Sequence, residues 1–401
     1  MTRGTVARRA CGLALLGLGA GGALPAHAAT QVTIAVVSLD GDARHVARRM
    51  ERAYPGHPTG RAVDGVKLAA DDSAFELDAA GLVLDVKDVV LPNAAALPKV
   101  LAELKAAKVQ YVVADLPLAE LQQLVQAAPA ALGGALVFNT GLDDDRLRAQ
   151  QCAAHLLHTY PSRAMFSDAL AQYLAARNWR KALVLQGPLP GDALQAEAFN
   201  RSAKRYGIKI TQHKPFKLTG DPRERDLGNT RLLTGEREHE LVAVMDSDGE
   251  FARTVPYATQ WPRPVVGASG LVAAAWHPQW ERNGGPQLSR RFFKLAKRPM
   301  QGHDWAAWAA GRAVAAVLVA APKAPVAQQL KALRGGAVFI DGFKGPRLSF
   351  RAWDGQLRQP LFVSHVDGVV GTAPLEGVLH PKEVLDTLGV DQQESACKTP
   401  P

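Results

Sequence analysis

The chain has 401 residues, 47% of them apolar and 21% charged, and 47 Lys and Arg against 38 Asp and Glu give a net charge of +9. Its 36 Gly and 26 Pro fall short of the share that marks low-complexity chains, which excludes collagen, long disorder and repeat arrays. The length suits two domains or more.

Arg3, Arg8 and Arg9 precede the uncharged stretch Ala10–Leu24, and Ala26-His27-Ala28 has the small-x-small pattern of a signal-peptidase site. Residues 1–28 are therefore expected to be a signal peptide, and the protein to be secreted to the periplasm. Arg8-Arg9 admits a twin-arginine route beside the Sec route, although the rest of that motif is missing. No later stretch approaches 18 uncharged apolar residues, so the protein is not expected to be membrane-embedded. Without the signal the net charge is +6, and no long Lys/Arg run or zinc spacing follows. Nucleic acid is thus a poor partner, whereas small anions suit the charge.

Residues 32–38, VTIAVVS, predict a buried first strand followed by a Gly/Asp loop. Apolar spacing then predicts a helix over Arg61–Ala74, a strand over 82–90, a helix over 94–107, a strand over 109–114, a helix over 117–127 and a strand over 135–138. After the polar turn Gly141–Arg148 and the segment Cys152–Pro161 the pattern begins again. A helix is expected over Ser162–Arg177, strands over 182–186, 208–213, 241–245 and 264–268, and a helix over 191–206. Lys214–Arg237 is charged and Gly/Pro-interrupted, a loop with helical fragments. Helices over Trp305–Ala321 and 326–334 precede a Gly-rich, β-like tail at 335–380.

The class is α/β, with two Rossmann-like lobes joined by a hinge and mainly parallel sheets. The expected N-terminal lobe is 29–150 with a returning segment at about 301–334, and the C-terminal lobe is 151–300. Residues 335–401 are expected to extend across both lobes. Cys11 leaves with the signal, and an oxidising periplasm favours a Cys152–Cys397 disulfide tying the tail to mid-chain, two separate thiols being the alternative. The chain-entropy model values such a bridge at roughly 4–5 kcal/mol before strain.

No enzyme signature survives, so no catalytic residue is expected. Gly267-Ala268-Ser269-Gly270 lacks nucleophile-elbow spacing, and no phosphate-cradling Gly loop follows a strand. Asp246-Ser247-Asp248-Gly249-Glu250 begins like a calcium loop but has Phe251 at the sixth position and Tyr257 at the twelfth. Asp246 instead sits at the carboxyl end of a strand, where open α/β sheets place ligands, or caps the next turn. His155 and His158 would share a face of a helix but have no third ligand nearby, and Asp143-Asp144-Asp145 suits a solvated turn and helix cap, so no metal is expected. Trp276, Trp305, Trp308 and Trp353, with Arg347, Arg351 and Arg358, are the residue types that stack on and pair with a planar polyanion, or else core tryptophans and surface arginines.

Four strings in order, CAAHLLHTYPSRAMFSDALAQYL (Cys152–Leu174), GLVAAAWH (Gly270–His277), LSFRAWDGQLRQ (Leu348–Gln359) and LDTLG (Leu385–Gly389), resemble one subfamily of type I periplasmic substrate-binding proteins of ABC transporters. That subfamily is associated with pyrroloquinoline quinone (PQQ)-dependent alcohol dehydrogenase systems. The resemblance implies a type I periplasmic binding protein fold and a monomer closing on a small molecule without catalysis. The implied partners are an ABC permease or the dehydrogenase. PQQ, a planar tricarboxylate, is the leading ligand, as bound ligand and not as a required cofactor. The alternatives are another small organic molecule in the same fold, or a non-transport sensor or accessory of the dehydrogenase. Amino-acid binders of the broader class place an acid for the substrate ammonium where this chain has Ser269, which ranks amino acids below anions. The expected ligand-binding residues are Asp115, Asn139, Asp246, Ser269 and Trp276 at strand ends, and Arg163 where a guanidinium meets a helix N-terminus.

Overall fold

The computed structural model describes residues 29–46 and 56–398. The signal-peptide reading and Cys11 lie outside these described residues.

Five parallel strands form the first sheet: β1 (Thr30–Leu39), β2 (Leu82–Leu91), β3 (Tyr111–Asp115), β4 (Leu136–Asn139) and β5 (Leu156–His158), in the order β2-β1-β3-β4-β5. The run VTIAVVS is apolar on both faces because both faces are covered. Ile34 and Val36 enter one core with α1 (Val63–Ala79), while Ala35 and Val37 enter the other with α2 (Leu97–Ala106) and α3 (Leu118–Leu132). This is the sandwiching expected of parallel strands.

The second lobe holds α4 (Arg163–Ala176) and the parallel strands β6 (Lys181–Gln186), β7 (Lys209–Pro215), β8 (Leu241–Met245) and β9 (Val265–Gly267), with α5 (Pro190–Arg205) between β6 and β7. A small antiparallel sheet continues it: β10 (Val272–Ala274) pairs with β13 (Leu361–His365), which pairs with β14 (Gly368–Ala373). The helices α6 (Gly285–Ala296), α7 (Gly302–Ala320) and α8 (Val326–Arg334) intervene in sequence, followed by the short ribbon β11 (Ile340–Asp341) and β12 (Arg347–Leu348).

The lobe boundaries differ from those expected. β5 completes the first sheet, so the first lobe runs past position 150 to His158, and the chain crosses near Thr159–Ser162. Return comes before 301, because Leu288 and Phe292 of α6 already pack in the first lobe's core. The reason is apolar contact: α6, α7 and α1 share one core, and α7 approaches α1 closely through Gly311, where an added Cβ would lie 2.6 Å from Ala69 Cβ. His155 and His158 do not share a helical face, since His158 lies in β5; His155 meets the Val125 carbonyl at 2.9 Å and His158 meets Asn139 at 3.1 Å. The expected Cys152–Cys397 disulfide is present. No helix among the described residues is long and apolar enough to cross a membrane.

Candidate functional site

The carboxyl ends of both parallel sheets face a cleft of about 330 Å³ between the lobes. The first lobe supplies Arg44, Gly141, Leu142, Asp143 and His303, the crossover Tyr160, and the second lobe Arg163, Phe166, Asp246 and Ala268, among others. Its volume lies at the small-ligand end of the ordinary range, and its mixture of aromatic walls with a few polar groups is that of a small-molecule site.

Arg44 stands in the loop after β1. Its Nη2 donates to Asp42 Oδ2 at 2.6 Å and to Asp115 Oδ1 at 3.2 Å, whereas the buried Nη1 has no acceptor among the described residues. Gly141 makes room for that nitrogen, since a Cβ there would lie 2.7 Å from Nη1. Burial by itself would raise the Asp115 carboxyl, but His45 at 3.5 Å and the Arg44 charge outweigh it and hold the carboxyl well below the usual range. Asp115 therefore anchors Arg44 from beneath and is not itself part of the cleft lining.

Asn139 is also one layer back. Fully buried at the end of β4, it donates to the Leu142 carbonyl at 2.7 Å and accepts from Leu142 N at 3.0 Å, shaping the turn that presents Gly141–Asp143. Asp145 closes the same turn onto α4 by accepting from Ala164 N at 3.1 Å. Together with Arg163 N donating to the Asp143 carbonyl at 2.8 Å and Met165 N to Ser162 Oγ at 3.2 Å, this occupies the α4 N-terminal amides. The expectation that those amides hold a ligand carboxylate is corrected, because the protein's own oxygens satisfy them. The Arg163 side chain does line the cleft; its Nη2 pairs with Asp143 Oδ1 at 2.7 Å and its buried Nε has no partner among the described residues.

On the opposite wall Asp246 follows β8 and accepts from Ala252 N at 2.8 Å, so it both faces the cleft and caps its turn. Burial raises its carboxyl above the ordinary value despite that bond. His303, from the start of α7, stacks on Tyr160 with centroids 4.4 Å apart; burial first and the Arg44 charge second lower its pKa to about 3, so the ring is neutral.

The remaining expected residues lie elsewhere. Ser269 sits in the turn beyond the Gly267-Ala268 pair that reaches the cleft. Trp276, 2% exposed, is buried in the first lobe's core, its ring parallel to that of Trp305 at 6.5 Å. Trp305 and Trp308 share that core, and Trp353 lies between Arg351 and Arg358 at 5.3 Å from each, part of an internal network with Asp386. The indole rings offered for stacking a planar ligand are thus absent from the cleft lining, and Tyr160, Phe166 and Phe199 stand there instead. No cluster among the described residues could hold a metal ion. Arg44 was legible in principle, because it follows the first strand as Asp115 ends the third. His303 carried no local signal, since a distant helix brings it to the cleft.

The fold is that of the type I periplasmic binding proteins. No family model matches the chain, and no curated protein does. Solved structures do. A periplasmic binding protein from Burkholderia mallei is 12% identical with a TM-score of 0.65 over 92% of this chain and 99% of its own. The leucine-, isoleucine-, valine-, threonine- and alanine-binding protein from Brucella ovis, in a closed conformation, is 12% identical with a TM-score of 0.70 over 93% and 100%. An ABC-transporter solute-binding protein from R. palustris in complex with benzoate is 11% identical with a TM-score of 0.63 over 92% and 99%.

Proposed function

We propose that the protein is a periplasmic solute-binding protein that captures a small carboxylate between its lobes and delivers it to an ABC permease, without catalysis. The observation that carries this reading is Arg44 Nη1, a buried guanidinium nitrogen on the cleft wall without an acceptor among the described residues. A buried donor left unpaired is costly, and a ligand carboxylate would satisfy it with a charge-assisted hydrogen bond. Arg163 Nε offers a second such donor across the crossover. The Tyr160–His303 stack and Phe166 favour a flat or apolar body behind the carboxylate, and the benzoate bound by the R. palustris protein is of that kind. PQQ remains the largest candidate of this class, and its link to alcohol oxidation rests on the sequence resemblance alone.

A second reading is an amino acid, which a specific observation favours. Ser269 supplies no acid, but Asp246 lines the wall of the second lobe with no cation paired to it among the described residues, a position suited to a ligand ammonium. The amino acids named for the Brucella ovis protein agree with this reading.

Calorimetric titration of the ligand-stripped protein with benzoate, leucine and PQQ, each beside its uncharged amide, tests the proposal. One-to-one binding of a carboxylate, weakened at least about tenfold in the amide, is expected. Equal binding of acid and amide, or heat from none of the acids, overturns the carboxylate reading.

A further inference from the structure

The chain crosses between the lobes near 159–162, between β10 and α6, and again at 357–361, and its C-terminal tail adds another crossing of a different kind. Leu385 and Leu388 are buried, and Asp386 accepts from Arg351 Nε at 2.8 Å and Arg358 Nε at 2.9 Å, which seats the tail on the 349–359 segment beside the crossover. Arg351 Nη2 also donates to the Leu388 carbonyl at 2.6 Å.

The tail then lies on the second lobe. Gly389 N donates to Asp168 Oδ2 of α4 at 2.8 Å, and the Gly389 carbonyl accepts from Arg205 Nη1 of α5 at 3.0 Å. Gly389 has φ of 88°, and a Cβ there would lie 2.8 Å from Met165 Cγ, so this seat requires glycine. Arg205 reaches Glu394 at 4.0 Å. Beyond it the tail leaves the second lobe and ends on the first, through the disulfide from Cys397 to Cys152. Cys152 belongs to the first lobe: it lies between β4 and β5, Ala153 packs in that lobe's core, and Gln151 accepts from Gln122 of α3 at 2.7 Å.

We infer that the tail from Asp386 to Cys397 is a covalent strap across the hinge that limits how far the lobes separate. Only Ser395 and Ala396 stand between Glu394 and Cys397, a reach of about 10 Å when extended. Opening beyond that reach must strip Glu394 and then Gly389 from α5 and α4. The disulfide thereby does more than close a loop in the unfolded chain: it sets the travel of the folded one. The inference rests on the fold and is independent of the ligand's identity.

Two variants of the exported protein test this without ligand. The first, Cys152→Ser with Cys397→Ser, removes the strap's end. The second inserts six Gly/Ser residues between Ser395 and Ala396, which keeps the disulfide and adds about 20 Å of slack. Small-angle scattering is expected to show a larger radius of gyration for both variants than for the parent. Amide exchange in 159–162 and 357–360 should be about tenfold faster in both, with the centres of α1 and α7 unchanged. Should the serine variant fail to fold, the slack variant decides, since it retains the bridge. Parent-like scattering and hinge exchange in the slack variant overturn the inference and leave the disulfide a stabilising crosslink only.

Discussion

Arg44 Nη2 lies 3.2 Å from Asp115 Oδ1, which joins the loop after β1 to the end of β3 and orients the guanidinium on the cleft wall. With Asp42 as its other acceptor, the guanidinium has two fixed carboxylates behind it and one nitrogen without an acceptor among the described residues. Arg44→Lys keeps the charge between Asp42 and Asp115 but loses the fork that reaches in both directions. Carboxylate affinity, read by calorimetry, is expected to fall on the order of 10–100-fold, with a smaller loss of stability than Arg44→Met. Arg44→Met strands buried carboxylates and is expected to cost about 3–5 kcal/mol in denaturant unfolding.

Trp276 gives the opposite expectation. Its ring packs against Trp305 and Phe362 and lines no part of the cleft. Trp276→Phe should leave ligand affinity unchanged in the same titration, while Trp276→Ala costs about 3–5 kcal/mol through the cavity it opens.

The contact of α1 with α7 allows no side chain at Gly65, where an added Cβ would lie 2.9 Å from Trp308 N. Gly65→Ala must push two packed helices apart, with an expected loss of about 1–3 kcal/mol by urea unfolding. Ala69→Gly on the same face removes a methyl and relieves nothing, so it also destabilises.

The neutral His303 ring makes stability depend on pH. Folded, it takes a proton only near pH 3; in the unfolded chain it does so near the ordinary histidine value of about 6.5. The unfolded state therefore binds more protons between these values, and the stability present above pH 6.5 is lost as pH falls, at about 1.4 kcal/mol per pH unit for this group. His158, which burial also holds well below the ordinary range, adds a loss of the same sign. Urea midpoints compared at pH 7 and pH 5 should fall less steeply in His303→Gln than in the parent.

Removing the disulfide should also lower stability, because its cysteines are 245 residues apart. The chain-entropy model sets an upper value of about 5 kcal/mol, and unfolding of Cys152→Ser with Cys397→Ser against the parent measures how much of it is realised.

Much of the architecture is legible in the sequence alone. The apolar runs at 32–38 and 241–245 announce buried strands, because a strand covered on both faces needs apolar residues at successive positions, and the alternation at 82–90 announces a strand that lies at the sheet edge and is only partly covered. The spacing of 162–177 and 326–334 likewise marks helices to within a residue or so. β5 and β10, three residues each, and α6, with its several basic residues, carried too weak a local pattern to be found. The rule that ligands gather at strand carboxyl ends also led to the edge of both sheets that faces the cleft. It could not say which side chains there face the cleft and which lie behind, as Asp115 and Asn139 do.

Periodicity and capping depend on neighbours in the chain, so the sequence by itself determined the α/β class and most elements, while for the cysteines it left a Cys152–Cys397 bridge beside two separate thiols. Tertiary structure alone decided that Arg44, Tyr160 and His303 meet, that Trp276 turns into the core, that Cys152 and Cys397 join, and that Gly389 of the tail seats on Asp168 and Arg205. These are contacts between distant segments, set by how whole faces of helices and sheets exclude water together, and no local pattern encodes them.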